Sequence, residues 1–464
     1  MDIDSSKVGR LLAEGDWDAV HPIVEGWPDH PLKLWLQGSY QLEYKKNFAA
    51  AEPFFVALAA SVDCPPKAYL RLGKSWHGQD NVLGALGCYL RALVACRQDG
   101  DEWFQHAVNS YGLACLELGL AKHWLAVLER LKAPNDQLPQ TAYLKAVALL
   151  STQSWREGWR WHEQREHWFP PQWFTLELPA WTDQPLHPDQ PVVVVSDMGI
   201  GDFIFFLRFI PLLRQRCAAV VALVPPMLRS FAEGVACFDQ VITGPEQVPS
   251  QCSWYLKLPS ICACLGLNGP AQGKAARPYL SLPVEARPER RRPLVAINWA
   301  GNRSAEGPSC PVRARSLPLE LMERMKHLQD VDLISVQVGV DESISQSSLA
   351  EVLHPMQEEI DATPPDLWRT AQWLKACDLI ITNDTSIAHL GGALGVETWV
   401  MLKRYPSWQW GETGESPWYE SVRCFRQVIN FDWSDVVAEI DAALDTYLKQ
   451  RSANNLPKSE IPSV

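Results

Sequence analysis

A period of 35 residues in the first third of the chain constrains its fold more than any other feature. Gly38 is followed at steps of 12, 4 and 3 residues by an alanine, an aromatic residue and a second alanine. The same series begins again at Gly73. Self-similarity at such a period is typical of stacked helix pairs, in which small residues let two helices approach closely. The sequence therefore predicts helical repeats over residues 1–168.

The spacing of these small residues matches the tetratricopeptide pattern. Degenerate units precede and follow the two clear copies, and an unrelated helical bundle is the alternative interpretation. Repeats of this class stack into a solenoid whose concave face holds an extended peptide or a segment of a partner. A domain of this kind implies binding rather than chemistry.

The pattern changes after a linker rich in Pro and Trp at residues 169–191. Apolar runs such as "VVVV", "AVVALV", "LVAINWAG", "DLISVQV", "DLIITND" and "TWVMLKR" then alternate with helical stretches. This alternation predicts parallel sheets with crossover helices. We expect an α + α/β chain with two Rossmann-like lobes over 192–285 and 293–450, followed by a disordered tail over 451–464.

Charge and hydropathy exclude several classes of function. The formal net charge of −12 over 464 residues argues against generic binding to the phosphates of nucleic acid. No apolar run reaches the length of about 18 residues that a membrane span needs, and the N-terminal residues have no signal-peptide core. The sequence predicts a soluble, cytoplasmic protein.

The stretch "VVVVSDMGIGDFIFFLRFIP", residues 192–211, reads as a buried strand, a glycine turn at Gly199 and Gly201, and a helix. Ile204 replaces the third glycine of a dinucleotide-binding fingerprint, and no P-loop sequence follows. Asp202 stands at the start of the helix instead. It is a candidate general base at the mouth of a cleft, or a carboxylate that only complements the helix dipole.

A second strand–helix junction, "CDLIITNDTSIAHLGGALG" at residues 377–395, predicts an anion site. Asp384 or Thr385 can cap the helix, and the free N–H groups from Ser386 onward suit a diphosphate. His389, one turn into the helix, can add a donor. The alternative is a well-capped helix with a buried histidine.

Basic residues follow two more strands. The loop after "LVAINWAG" carries Asn302, Arg303 and Arg315, and guanidinium groups bind phosphate well. A helix is expected from Ser316. Lys403 leads from the strand "TWVML" into a loop rich in Trp and Tyr, which suits a ligand lid or packing between lobes. A solvated basic loop is the alternative for each arginine.

Four segments in fixed order carry a resemblance: "GIGDFIFFLRFIPLL", "WAGN" with "RARSLPLE", "NDTSIAHLGGALG" and "SPWYESVRCFRQ". They resemble bacterial tetratricopeptide-repeat proteins with a C-terminal GT-B glycosyltransferase domain, similar to heptosyltransferases and more distantly to O-linked N-acetylglucosamine transferases. The resemblance implies inverting transfer from a nucleotide sugar, with a UDP-sugar as first guess and neither metal nor cofactor. The resemblance implies that the first lobe is on the acceptor side and that the second binds the nucleotide sugar. The roles that it implies are the general base for Asp202, donor binding for Asp384, Thr385 and His389, and neutralisation of the diphosphate for Arg303 and Arg315. Ser386 and Lys403 are further candidate donor-binding residues.

The sequence departs from that family in two places. "SDM" precedes the glycine turn where Glu-Gln is more usual, and Gln409 stands where Arg is common. Three hypotheses remain for the whole chain. It transfers sugar to a protein or peptide held by the repeats, it acts on a glycan or lipid-linked acceptor, or it is a scaffold whose GT-B domain has lost activity.

Overall fold

The computed structural model describes residues 5–61, 64–96, 101–131, 139–167, 174–182, 189–270, 277–282, 292–303, 306, 314–339 and 344–454. These residues form two compact units, one ending at Ala148 and the other beginning at Leu149.

The regular secondary structure of the first unit's described residues consists of helices. Asp16 and Asn47 begin two of its helices, since their side chains accept bonds from the backbone N–H of Ala19 and Ala50, both at 3.0 Å. The helices are α1 Ser5–Ala13, α2 Trp17–Glu25, α3 Pro31–Ser39 with a π-helical turn at Tyr40–Tyr44, α4 Phe48–Ala60, α5 Pro66–Gly78, α6 Val82–Cys96, α7 Asp101–Glu117, α8 Ala121–Leu131 and α9 Pro139–Ser151, whose end belongs to the second unit.

Close approach recurs in three successive helix pairs. In each pair a glycine of the first helix lies so near an aromatic ring of the second that a Cβ atom would overlap the ring: Gly38 with Phe55, Gly73 with Tyr89, and Gly112 with Trp124. The helix pairing that the period predicts is therefore present.

The second unit begins with α9's last residues, α10 Trp155–His162 and a 3₁₀ turn at Glu163–His167, which the sequence had placed among the repeats. A four-stranded parallel sheet follows in the order β3-β2-β1-β4. Its elements are β1 Val192–Val195, α11 Ile200–Leu207, α12 Ile210–Leu213, β2 Val220–Leu223, α13 Arg229–Gly234, β3 Gln240–Ile242, β4 Tyr255–Lys257 and α14 Ile261–Cys264.

A five-stranded parallel sheet in the order β6-β5-β7-β8-β9 forms the second lobe. Its strands β5, β7 and β8 are buried along their whole length, as a parallel sheet covered on both faces requires. The elements are β5 Leu294–Asn298, α15 Leu319–Met322, β6 Asp332–Ser335, α16 Met356–Ala362, α17 Leu367–Ala376, β7 Leu379–Asn383, α18 Ser386–Leu394, β8 Thr398–Leu402, β9 Val422–Arg426 and α19 Ser434–Asn454.

The two Rossmann-like sheets confirm the α/β prediction and all six predicted strands. The helix expected from Ser316 instead begins at Leu319, because Pro318 has extended backbone, with ψ at 151°. Helix α19 continues to Asn454, into the segment predicted as a tail; residues 455–464 lie outside the described part of the chain.

The predicted linker is described only at 174–182 and 189–191. There it packs on the first sheet, since Phe174, Leu176 and Leu178 contact its core and Ala180 bridges to Tyr255. No helix within the described residues is long and apolar enough to cross a membrane.

Candidate active site

The turn after β1 is held by a buried ion pair. Asp197 accepts hydrogen bonds from the Met198 backbone N–H, at 3.0 Å, and from Arg165 Nε, at 2.9 Å. Arg165, only 1% exposed, also donates to Ser260 Oγ at 2.9 Å. Met198 has φ of +65°, a left-handed conformation that costs a non-glycine residue about 1 kcal/mol or more. The contacts of Asp197 thus fix a strained turn immediately before Gly199.

Asp202 lies at the third position of α11, where Gly199 is the N-cap residue. Its Oδ2 accepts from the Gly199 N–H and its Oδ1 accepts from Gln409 Nε2, both at 3.3 Å. Burial raises the pKa of Asp202 to about 6. The negative charges of Asp384 and Asp197 also raise this pKa, whereas the hydrogen bond from the Gly199 N–H lowers it. A carboxyl group with this pKa can exchange a proton near neutral pH.

Helix α18 begins without a side-chain cap among the described residues. Thr385 occupies the N-cap position with extended backbone, but its hydroxyl donates to Asn298 Oδ1 at 2.9 Å. No acidic residue lies in the first turn of α18. The backbone N–H groups that begin at Ser386 are therefore not capped by a side chain of α18 or its N-cap residue, and their polarity favours an anion.

The starts of α11 and α18 lie against each other. A Cβ atom on Gly201 would lie 3.0 Å from His389 Cδ2 and 3.6 Å from the Cα and backbone N of Ser386. Only a residue without a side chain fits this approach without displacing its neighbours. The structure thus brings the Asp202 carboxyl group of one lobe beside the helix start of the other.

His389 is buried and neutral. Its Nδ1 is 2.9 Å from the Tyr419 hydroxyl, and its ring stacks on Trp410 with 4.8 Å between centroids. Burial lowers the pKa of His389 to about 3, and the charges of Arg208 and Arg315 lower it further. His389 therefore adds no positive charge to the predicted anion site.

Both carboxylate oxygens of Asp384 contact the loop that follows β8. Oδ1 accepts from Trp410 Nε1 at 2.7 Å, and Oδ2 accepts from Ser407 Oγ at 3.1 Å. Asp384 thus holds this loop and does not cap α18.

Arg315 is the predicted cation that contacts the start of α18. Its Nη1 donates to the Asp384 backbone oxygen at 3.1 Å, while Glu306 Oε1 lies 3.4 Å from its Nε. Glu306, which sequence reasoning did not single out, offsets part of the arginine charge. Arg303, exposed, donates to the Leu317 carbonyl at 3.4 Å. Asn302 is also exposed, and Lys403 is buried directly after β8.

Sequence reasoning also missed an amide network at the ends of β5 and β6. Gln337 Oε1 accepts from the backbone N–H groups of Trp299 and Ala300, at 3.0 and 2.8 Å, and from Asn298 Nδ2 at 2.7 Å. The polar residue that ends the apolar run "LVAIN" was the available signal. This network fixes the loop from which Asn302 and Arg303 leave.

Arg208 is a second missed residue. It is 6% exposed, donates to the Trp418 carbonyl at 2.9 Å, and lies over the Tyr419 ring at 4.4 Å from the centroid. It joins α11 of the first lobe to the loop after β8 of the second. A single cation inside "FIFFLRFIP" was its signal.

The tryptophans after β8 pack in the core of the unit. Trp408, Trp410 and Trp418 are 5%, 0% and 0% exposed. Trp408 and Trp418 contact Phe205 of α11 edge to face, at 5.3 and 5.1 Å. These contacts support packing between lobes rather than a ligand lid. Among the described residues no cluster of three or more His, Cys, Asp or Glu could hold a metal ion.

No family model matches the sequence. Protein FlbA of Caulobacter vibrioides is 25% identical over 405 residues, which cover 78% of this chain and 66% of FlbA, just under two thirds of that protein.

Similar solved structures include a glycosyl transferase family 9 protein from Veillonella parvula, with 13% identity over 57% of this chain and 100% of that one and a TM-score of 0.39. The Escherichia coli ADP-heptose heptosyltransferase II is 13% identical over 56% of this chain and 99% of that one, with a TM-score of 0.38. A mutant O-GlcNAc transferase of Thermobaculum terrenum is 12% identical over 93% of this chain and 95% of that one, with a TM-score of 0.31. At these scores the likenesses carry no weight for function.

Proposed function

We propose that the chain is an inverting glycosyltransferase that takes its sugar from a nucleotide sugar without a metal ion, with its two lobes in the GT-B arrangement. The observation that carries the proposal is the junction of α11 and α18. There Asp202, whose pKa is near 6, directly follows Gly201, the residue that packs against the uncapped start of α18.

The two sides of this junction suit the two ends of one displacement. The acceptor oxygen bonds to the anomeric carbon from the face opposite the diphosphate, and Asp202 takes the acceptor's proton. The carbon–oxygen bond to the diphosphate breaks, and the leaving group carries away the electron pair. The N–H groups of α18 and the Arg315 guanidinium stabilise that negative charge.

Gln409 occupies the place next to the proposed base. Its amide donates to Asp202, and its own Oε1 is buried with no hydrogen-bond partner among the described residues. An acceptor hydroxyl that replaced this amide would donate to the same carboxylate oxygen. A non-catalytic scaffold is the competing function, and the Gln409 contact favours it if the amide is never displaced.

The helical unit belongs, in this proposal, to the tetratricopeptide class and holds the acceptor. The recurring glycine–ring contacts of its helix pairs support that class. A protein or peptide is the proposed acceptor, because stacked helix pairs of this kind present extended binding surfaces.

Calorimetric titration of the full chain with UDP-, GDP-, ADP- and dTDP-sugars, in EDTA, tests the donor site. We expect one nucleotide family to bind, and to stabilise the fold by about 2.7 kcal/mol at about 100 times its dissociation constant. Binding that appears only after a divalent cation is added would contradict the metal-independent proposal. Absence of heat for all four families would contradict the donor site itself.

A further inference from the structure

Three basic residues lie on one face of α5 in the helical unit. Lys67, Arg71 and Lys74 are spaced four and three residues apart, so their side chains are neighbours along the helix. We call these three side chains the cationic surface.

Two tryptophans from the neighbouring odd-numbered helices hold two of these cations. Trp35 of α3 and Trp103 of α7 meet edge to face, with 6.1 Å between ring centroids. Lys67 Nζ lies 4.7 and 5.3 Å from the two centroids, and the Arg71 guanidinium lies 5.3 and 5.5 Å from them. Cation–π contacts therefore position both charges.

The positive charge here exceeds the negative charge that the protein supplies. Arg71, 9% exposed, pairs with Glu43, but its Nε is buried without a hydrogen-bond partner among the described residues. Among the described residues, no carboxylate lies within ion-pair distance of Lys67 or Lys74. The buried Arg71 charge is thus only partly compensated, and an anion bound at the neighbouring lysines would be attracted by it.

Shifts in pKa have the same origin. Burial lowers the pKa of Arg71 to about 10. Burial, followed by the charges of Arg71 and Lys46, lowers the pKa of Lys74 to about 8. The pKa of His106 on α7 is lowered by burial and then by the Lys74 charge. These groups share a weakly hydrated, positive environment that an anionic ligand would stabilise.

We infer that the cationic surface binds an acidic polypeptide segment, whose Asp or Glu carboxylates contact the partly exposed Lys67 and Lys74 beside the buried charge of Arg71. Nucleic acid fits less well, because base stacking needs open aromatic faces and both tryptophan rings are already covered by cations. The inference concerns the helical unit alone and holds whether or not the second unit transfers sugar.

Fluorescence anisotropy of the full chain with a labelled peptide of alternating Glu and Gly tests the inference. We expect binding that weakens as salt rises, and no binding of the matched Gln/Gly peptide. The double variant Lys67→Gln/Lys74→Gln should bind the acidic peptide at least about tenfold more weakly, a loss of about 1.4 kcal/mol. Both substituted lysines are partly exposed, and the variant keeps the buried Arg71.

The double variant Arg91→Gln/Lys122→Gln is the matched control. It removes the same charge from exposed positions on α6 and α8, and should bind within about twofold of the unaltered chain. Equal weakening by both double variants would show a general charge effect and overturn the inference. Equal binding of the Gln/Gly peptide would also overturn it, as would a single-stranded oligonucleotide that binds while the acidic peptide does not. These readouts need no donor sugar, so they fail or succeed separately from the proposed transfer.

Discussion

Helices α11 and α18 begin in the same way and differ in what their first turns offer. Each follows a buried parallel strand, at the edge where such sheets bind ligands. Helix α11 places Asp202 in its first turn and bonds it to the Gly199 N–H. Helix α18 has neither an acidic residue nor a side-chain cap there, because Thr385 bonds to Asn298. In the proposed transfer, the start of α11 provides the proton acceptor and the start of α18 provides the anion site.

The largest expected effect is on turnover and comes from a substitution at the start of α11. Asp202→Asn keeps the size of the side chain and removes its ability to accept a proton. With the nucleotide sugar identified by calorimetry, turnover should fall about 10²- to 10⁴-fold while donor affinity stays nearly constant. Asp202→Glu, which keeps a carboxylate, should retain part of the activity. Where no acceptor is known, hydrolysis of the donor provides the rate, and near-normal turnover of a folded Asp202→Asn protein would reduce Asp202 to a helix-start residue.

The next largest effect is on donor affinity and comes from a substitution beside the start of α18. Arg315→Gln removes the cation that bonds to the Asp384 carbonyl just before α18. It should weaken binding of the nucleoside diphosphate about 10-fold or more, since hydrogen bonds to charged groups contribute about 1.5–3 kcal/mol. Affinity for the nucleoside without phosphates should not change, which separates charge from any disturbance caused by unpaired Glu306. Arg303→Gln is the matched control and should have a smaller effect, because Arg303 is exposed. An equal loss for nucleoside and diphosphate would contradict a role for Arg315 at the phosphates.

The smallest effect concerns stability and again distinguishes the two helix starts. The pKa of Asp202 is raised from 3.8 to about 6, so ionisation of the buried group destabilises the fold above pH 6 and no longer does so below about pH 4. Asp202→Asn should therefore increase the free energy of unfolding by about 1–2 kcal/mol at pH 7.5. The gain should disappear near pH 4. Denaturant unfolding at both pH values checks this, and a loss of stability at pH 7.5 would show that the helix dipole outweighs burial.

Sequence reasoning predicted the strand–turn–helix elements because each has a strong local signal. "VVVV" and "DLIIT" are apolar enough to be buried strands, and Gly395 ends α18 in the left-handed conformation that glycine favours. The short strands β3, β4 and β9 were missed, since partly exposed runs of three to five residues carry little periodicity. Their pairing depends on neighbours that are distant in sequence.

The site was predictable as a set of residues and less so as a set of contacts. Asp202 and the start of α18 are recognisable from local sequence. The bonds from Asp384 to Trp410, from His389 to Tyr419 and from Gln409 to Asp202 join segments that only the folded chain brings together. Local sequence identifies a polar side chain at a strand end, but its partner is determined by tertiary packing.

The parallel pairing of the second sheet has a consequence for the order in which the chain acquires structure. Strand β5 lies between β6 and β7, and Val295 pairs with Leu379, so this sheet can close only after a long stretch of intervening chain is available. The helix pairs of the first unit form contacts between close neighbours in sequence, which fold faster than non-local strand pairs. During synthesis the N-terminal helices should fold while β7 and β8 are still untranslated. A ribosome stalled before residue 379 should therefore carry a protease-resistant helical unit attached to an incomplete, protease-sensitive second lobe.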